Sequence, residues 1–286
     1  MFTSVFKYSV SLFVIAFLFC SCNNDPIKGR EEVVVEGWIE NGQSPVVILS
    51  KTFTVSTEKE TDSDETIVLP WGKVTVSDGE KSVVLTGQYD ERYTPPYIYT
   101  TSNITGKPGQ TYYLTVEYGN RKLTAQTTIP FPDSLQDIRA ERCEDSDSLY
   151  QITATFRDNP LTTDYYMFMT RVLNKDSRYY PAYMGIVSDE NLETENVRMI
   201  HPGIHTITDI KHKYEPYFKL NDTVLVKFTK LDETSYNIHK AYNELVILSF
   251  NPLFSNDIAL PSNIKGGLGF WCGYATTNYR ILPPSE

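Results

Sequence analysis

The run from Lys73 to Thr86 limits what this chain can become more than any other stretch. Alternating apolar residues, Val74 and Val76 on one side and Val83 and Leu85 on the other, flank Asp78-Gly79. An Asp-Gly pair supplies the positive φ angles of a tight hairpin turn, and alternation places one side chain in two on a buried face. The same pattern recurs along the first half. Glu31 to Ile39 and Ser44 to Leu49 are apolar, β-branched runs separated by Asn41-Gly42. Thr111 to Tyr118 alternates, turns at Gly119-Asn120, and is answered by Leu123 to Ile129. Runs at roughly 8–12-residue spacing with turns between them predict an immunoglobulin-like β-sandwich over residues 32–132. That segment has no cysteine, so the Cys-Trp-Cys core of antibody-type domains is absent. The polar stretch 56–66 reads as an exposed loop, and the Tyr- and Pro-rich stretch Tyr89 to Tyr99 as an irregular or edge segment. Pro130-Phe131-Pro132 cannot continue a central strand and sets the expected boundary.

Residues 133–286 predict a second β-rich domain. Strand-like runs span Ser148 to Phe156, Tyr165 to Leu173 and Thr223 to Leu231, with a turn at Asp158-Asn159-Pro160. Residues 174–214 lack a clear period and read as irregular. One helix is expected near 233–246, with Asp232 to Ser235 supplying its cap. Gly266-Gly267-Leu268-Gly269 has neither the Gly-Lys-Ser/Thr ending of a phosphate loop nor the spacing of a dinucleotide fingerprint, and it reads as a close-packed turn into a final strand.

Ahead of both domains lies a leader. Lys7 precedes an apolar run from about Val10 to Cys20, followed by Ser21 and Cys22. The run has the length of a signal-peptide core and falls short of the ~18–20 apolar residues of a membrane-spanning helix. The paired small residues of an ordinary secretory cleavage site are missing around Ser21. A small residue directly before Cys22 instead suits a lipoprotein signal peptide over 1–21, with Cys22 carrying the lipid, palmitate included. Phe19 stands where such motifs usually have Leu. Cys20 is disfavoured as the acceptor because bulky Phe19 precedes it. Residues 22–31 then form a polar, lipidated tether. A single acyl chain binds membranes reversibly and a second makes the anchor durable, so the expected partner is a membrane reached through lipid.

The net charge of −10, with no basic cluster, argues against nucleic acid and against a polybasic lipid-binding surface. With Cys22 lipidated, Cys143 and Cys272 remain to form one disulfide or to stay as two separate thiols. His201, His205 and His212, with Asp209, are a candidate metal cluster. Pro202-Gly203 breaks any helix that would present them on one face, so they read as loop histidines. Twenty tyrosines suit both strand formation and ligand stacking. The candidate platforms are Tyr89, Tyr93, Tyr97 and Tyr99, or Tyr179, Tyr180 and Tyr183. Neither Gly-x-Ser-x-Gly nor His-Glu-x-x-His occurs, and the expectation is a non-enzymatic protein without a cofactor.

Several motifs together carry a resemblance: Glu32 to Ile39, the Val74 to Gly79 hairpin, Pro108 to Tyr112, Thr127 to Pro130, and Asn263-Ile264 running through Gly266-Gly267-Leu268-Gly269 to Gly273-Tyr274. In these the chain resembles the DUF4249 lipoproteins of Bacteroidetes over nearly its whole mature length. The resemblance implies an outer-membrane lipoprotein, on the periplasmic face or the cell surface, that assists a TonB-dependent β-barrel receptor. The alternatives are a free-standing glycan- or protein-binding surface module and, behind it, a hydrolase. The resemblance brings no catalytic residues with it.

Overall fold

The structure is a computed structural model, and it describes residues 31–52, 68–157, 161–190, 195–205, 214–248 and 260–285. The leader, Cys22, the tether up to residue 30, the whole polar loop 56–66, Asp209 and His212 lie outside the described residues.

The protein is mainly β. Its central element is an eight-stranded sheet drawn from both ends of the chain. In spatial order it runs β12 (Tyr180–Ser188), β11 (Tyr165–Val172), β15 (Val224–Leu231), β16 (Leu268–Ile281), β1 (Val33–Glu40), β2 (Val46–Lys51), β6 (Tyr97–Thr100) and β5 (Thr86–Tyr89). Two smaller sheets complete the architecture. One is β4 (Ser82–Val84), β3 (Lys73–Ser77), β7 (Thr111–Tyr118) and β8 (Arg121–Thr128). The other is β13 (Glu195–Ile200), β10 (Leu149–Arg157) and β14 (Phe218–Lys219), with β9 (Asp137–Arg142) also paired to β10.

Strand alternation sends odd-numbered residues of β1 and β16 to one face of the large sheet and even-numbered ones to the other. The odd face builds the first core. Val33, Val35, Ile39, Trp271 and Ala275 meet Val74, Val76, Tyr112, Leu114, Val116 and Leu123 of the facing sheet. This is the immunoglobulin-like sandwich. Further along the large sheet, Tyr166, Phe168, Val226, Phe228 and Ile281 meet Tyr150, Ile152, Ala154, Phe156 and Phe218 in a second core.

β16 belongs to both cores. It pairs in parallel with β1, Gly37 opposite Trp271, and antiparallel with β15, Phe228 opposite Thr277. Residues just past Pro132 are tied to the same strand: Thr277 Oγ1 donates to the Asp133 carbonyl at 2.7 Å, and the Leu135 N–H donates to the Tyr279 hydroxyl at 2.7 Å. The chain therefore leaves its first set of strands at Pro132 yet stays hydrogen-bonded to the strand that closes them.

The glycine run makes the β1–β16 pairing fit. Gly269 has φ +104°, and a Cβ there would lie 2.0 Å from the Val35 carbonyl oxygen. Only glycine allows that approach.

Among the described residues the even face of the large sheet carries one helix, α1 (Glu233–Leu248). Asp232 caps it, its Oδ1 accepting the Ser235 N–H at 2.7 Å. Ile238 buries against Met167, Leu231, Cys272 and Tyr274, and Tyr236 stacks on Tyr165 at 4.5 Å. No helix among the described residues is long and apolar enough to cross a membrane.

Residues 174–214, expected to be irregular, hold β12 and β13. β12 lies at the edge of the large sheet, where Pro181 is tolerated because no outer strand needs its missing N–H. β11 and β12 also shift register between Met167 and Met169, which blurs the two-residue period.

Candidate functional site

α1 covers only part of the even face of the large sheet. Beyond it, β1 presents Glu36, Trp38 and Glu40, and β15 presents Lys227. Three further segments close in around them. The β5–β6 loop brings Tyr93, whose ring centroid lies 6.0 Å from that of Trp38. The segment entering β12 brings Arg178, Tyr179 and Tyr180. Tyr242 of α1 is more than half exposed at the border.

Arg178 is the centre of this cluster. Its guanidinium carbon lies 5.3 Å from the Tyr93 ring centroid and 4.9 Å from that of Tyr180. Two tyrosines from distant parts of the chain thus hold one cation by cation–π attraction. Tyr180 is fixed in turn by stacking on His205 at 4.0 Å, and His205 Nε2 lies 3.2 Å from the Asp176 carboxylate. The Arg178 Nε is buried without a hydrogen-bond partner among the described residues.

Glu36 faces this cation. Burial raises its carboxyl above the ordinary 4.5, and the charge of Arg178 partly offsets the rise. The two influence each other through space without a hydrogen bond or ion pair. Burial also lifts the Tyr93 phenol. Next to them, Lys227 Nζ donates to Glu40 at 2.5 and 2.8 Å and lies 4.5 Å from the Tyr179 ring centroid. That second cation is neutralised; Arg178 is not.

The two tyrosine platforms expected from the sequence are thereby divided and recombined. Tyr93 joins Tyr179 and Tyr180 on this face. Tyr89 is exposed on β5, where it pairs in register with Tyr97 of β6. Tyr99 sits in the first core, its hydroxyl donating to the Leu69 carbonyl at 2.7 Å, and Tyr97 packs edge-on against it at 5.6 Å. Tyr183 packs on Tyr214 at 4.9 Å and on His201 at 6.0 Å.

The histidines have separate duties. His201 Nδ1 pairs with the Pro216 carbonyl at 3.1 Å, and His205 pairs with Asp176. His239 Nε2 pairs with the Tyr274 hydroxyl at 2.8 Å, and burial pushes its imidazole down to about 4. Among the described residues no group of three or more His, Cys, Asp or Glu gathers in metal-binding geometry.

Cys143 and Cys272 are separate free thiols, so the expected alternative of a disulfide is not realised. Cys143 lies in the β9–β10 turn, whereas Cys272 is enclosed between the sheet and α1. Burial pushes the Cys272 thiol up to about 12, which removes its thiolate at neutral pH.

A second charged cluster, Lys230 with Asp133 and Asp164 at 2.8 Å each, is fully engaged. The Tyr166 hydroxyl donates to Asp133 at 2.8 Å, and the group braces the second core. The Glu36–Arg178 face differs because its charges are left without such bonds.

Sequence reading missed Glu36, Trp38, Arg178 and Tyr242. Two signals were present: a Glu in the middle of a strand that opens with three valines, and an Arg directly before Tyr179-Tyr180.

The framework is thus a mainly β protein with two cores under one sheet and a polar, aromatic face on the other side of that sheet. The chain belongs to the family described as a domain of unknown function, DUF4249, whose model matches residues 24–280. No curated protein matches the chain.

Proposed function

We propose that this protein is a non-enzymatic, lipid-anchored ligand-capturing protein of the outer membrane, working beside a TonB-dependent transporter. The observation that carries the ligand-capturing part is Arg178, held between Tyr93 and Tyr180 and facing Glu36 without bonding to it. Charged groups on a folded protein are normally satisfied by neighbours, and two opposite charges left apart on an aromatic face form the kind of surface that binds polar ligands. The leader ending in Cys22 and the polar tether behind it support the anchor.

Full-length tagged protein, extracted in mild detergent, should carry a β-barrel receptor through affinity purification. Recovery without any barrel overturns the transporter partnership. Metabolic labelling with palmitate should mark the protein and be lost in Cys22→Ala; labelling that survives this change places the lipid elsewhere.

The same aromatic face supports a second reading, a free-standing glycan- or protein-binding module. Ligand binding that persists with no barrel partner in the purified material favours it.

A further inference from the structure

We propose that Arg178 and Glu36 form a recognition pair for a small carboxylate ligand that carries a hydrogen-bond donor, such as a hydroxyl or ammonium, close to its carboxylate. This rests on the reading of the protein as a ligand-capturing one and names the chemistry of what is captured.

Ring contacts orient the guanidinium. Tyr93 and Tyr180 lie against it at 5.3 and 4.9 Å, so its hydrogen-bonding edge is what remains for a ligand. The Nε position is buried without a partner, and no described residue hydrogen-bonds to the terminal nitrogens. A planar carboxylate matches two adjacent guanidinium N–H groups, and a pre-oriented fork loses little side-chain freedom on binding it. Among the described residues no carboxylate hydrogen-bonds to Arg178, although the chain has 36 Asp and Glu residues.

Glu36 sets the rest of the selectivity. A half-buried carboxylate without a hydrogen-bond donor is costly, and a ligand donor would relieve that cost. Its charge would also repel a dianion such as phosphate, as would the overall −10. A monoanionic carboxylate with a donor beside it satisfies both groups at once. Trp38 and Tyr93, tilted 40° to one another, and the exposed ring of Tyr242 form an apolar flank for the body of the ligand.

Titration calorimetry on the full-length protein in detergent tests this with four probes: monomeric galacturonate, neutral galactose, an alanyl-alanine dipeptide and inorganic phosphate. We expect at least one carboxylate probe to bind about tenfold or more tightly than galactose and phosphate. Which one binds distinguishes an acidic sugar from a peptide terminus. Arg178→Gln should abolish that preference, and Tyr93→Leu should weaken it while leaving the thermal midpoint close to that of the parent. Equal binding of neutral and acidic sugars, preference for phosphate, binding of no probe, or a preference that survives Arg178→Gln each overturn the proposal. Acid-selective binding in a preparation without a barrel partner leaves this proposal standing and removes only the transporter partnership.

Discussion

The indole N–H of Trp271 donates to the Tyr112 carbonyl 3.1 Å away, across the first core. Trp271 sits on β16, near the end of the chain, and Tyr112 on β7 of the facing sheet. The bond and the fully buried ring fasten the last strand into a sandwich whose other strands were laid down more than a hundred residues earlier. Trp271→Ala should therefore cost about 3–5 kcal/mol, the range for losing a buried aromatic side chain. Urea unfolding followed by circular dichroism measures it. A loss below ~1 kcal/mol would show that β16 is not a structural part of the first core.

Gly269 and Gly42 provide a matched pair. Both have positive φ, but a Cβ at Gly269 would strike the Val35 carbonyl, while one at Gly42 meets nothing within 4 Å. Gly42→Ala should cost only the left-handed backbone term, about 1–2 kcal/mol. Gly269→Ala adds a clash with backbone that cannot move without breaking the β1–β16 ladder, so it should cost clearly more and lower the yield of folded protein. Equal thermal midpoints for the two variants would contradict the register described above.

Glu36 should destabilise the fold at neutral pH. Burial raises its carboxyl above 4.5, so the folded protein binds that proton more readily than the unfolded chain. Stability from this group rises as pH falls through the raised value and is lowest above it. Glu36→Gln should raise the thermal midpoint at pH 7, with the gain vanishing below about pH 4.5. A lower midpoint at pH 7 would mean that the carboxylate is a net structural asset.

His239 acts in the opposite direction. Burial moves its imidazole from 6.5 down to about 4, so the unfolded chain binds this proton first. Its contribution is intact above pH 6.5 and is lost progressively as pH falls towards 4. Because the ring is only half-buried by surface area, the loss is about 1–2 kcal/mol, less than full enclosure would give. His239→Gln should flatten the stability profile across that window, read from urea midpoints at half-unit pH steps. An unchanged slope would show that His239 is more solvated than its contact with Tyr274 implies.

Much of the local structure was legible because period and turn chemistry are local. Val74, Val76 and Val83 around Asp78-Gly79 became β3 and β4, with Gly79 at φ +95° and Asp78 Oδ1 accepting the Lys81 N–H at 2.7 Å. Asp232 became the cap of α1. The Tyr89 to Tyr99 stretch ended at the outer edge of the large sheet, where its prolines do least harm. β12 escaped notice because an edge strand with Pro181, Gly185 and a register shift does not keep a two-residue rhythm.

What the sequence by itself determined, then, is the strongly alternating strands such as β3, β7 and β15, the capped helix α1 and the glycine-rich approach to the last strand, all of which follow from forces acting between residues a few positions apart. Tertiary structure alone decided that β16 would lie in parallel beside β1 and that Tyr93, Arg178 and Glu36 would meet on one face. Those meetings join residues from about 60 to more than 230 positions apart in the chain. They depend on which buried faces pack together, and a sequence carries no local periodicity that records that choice.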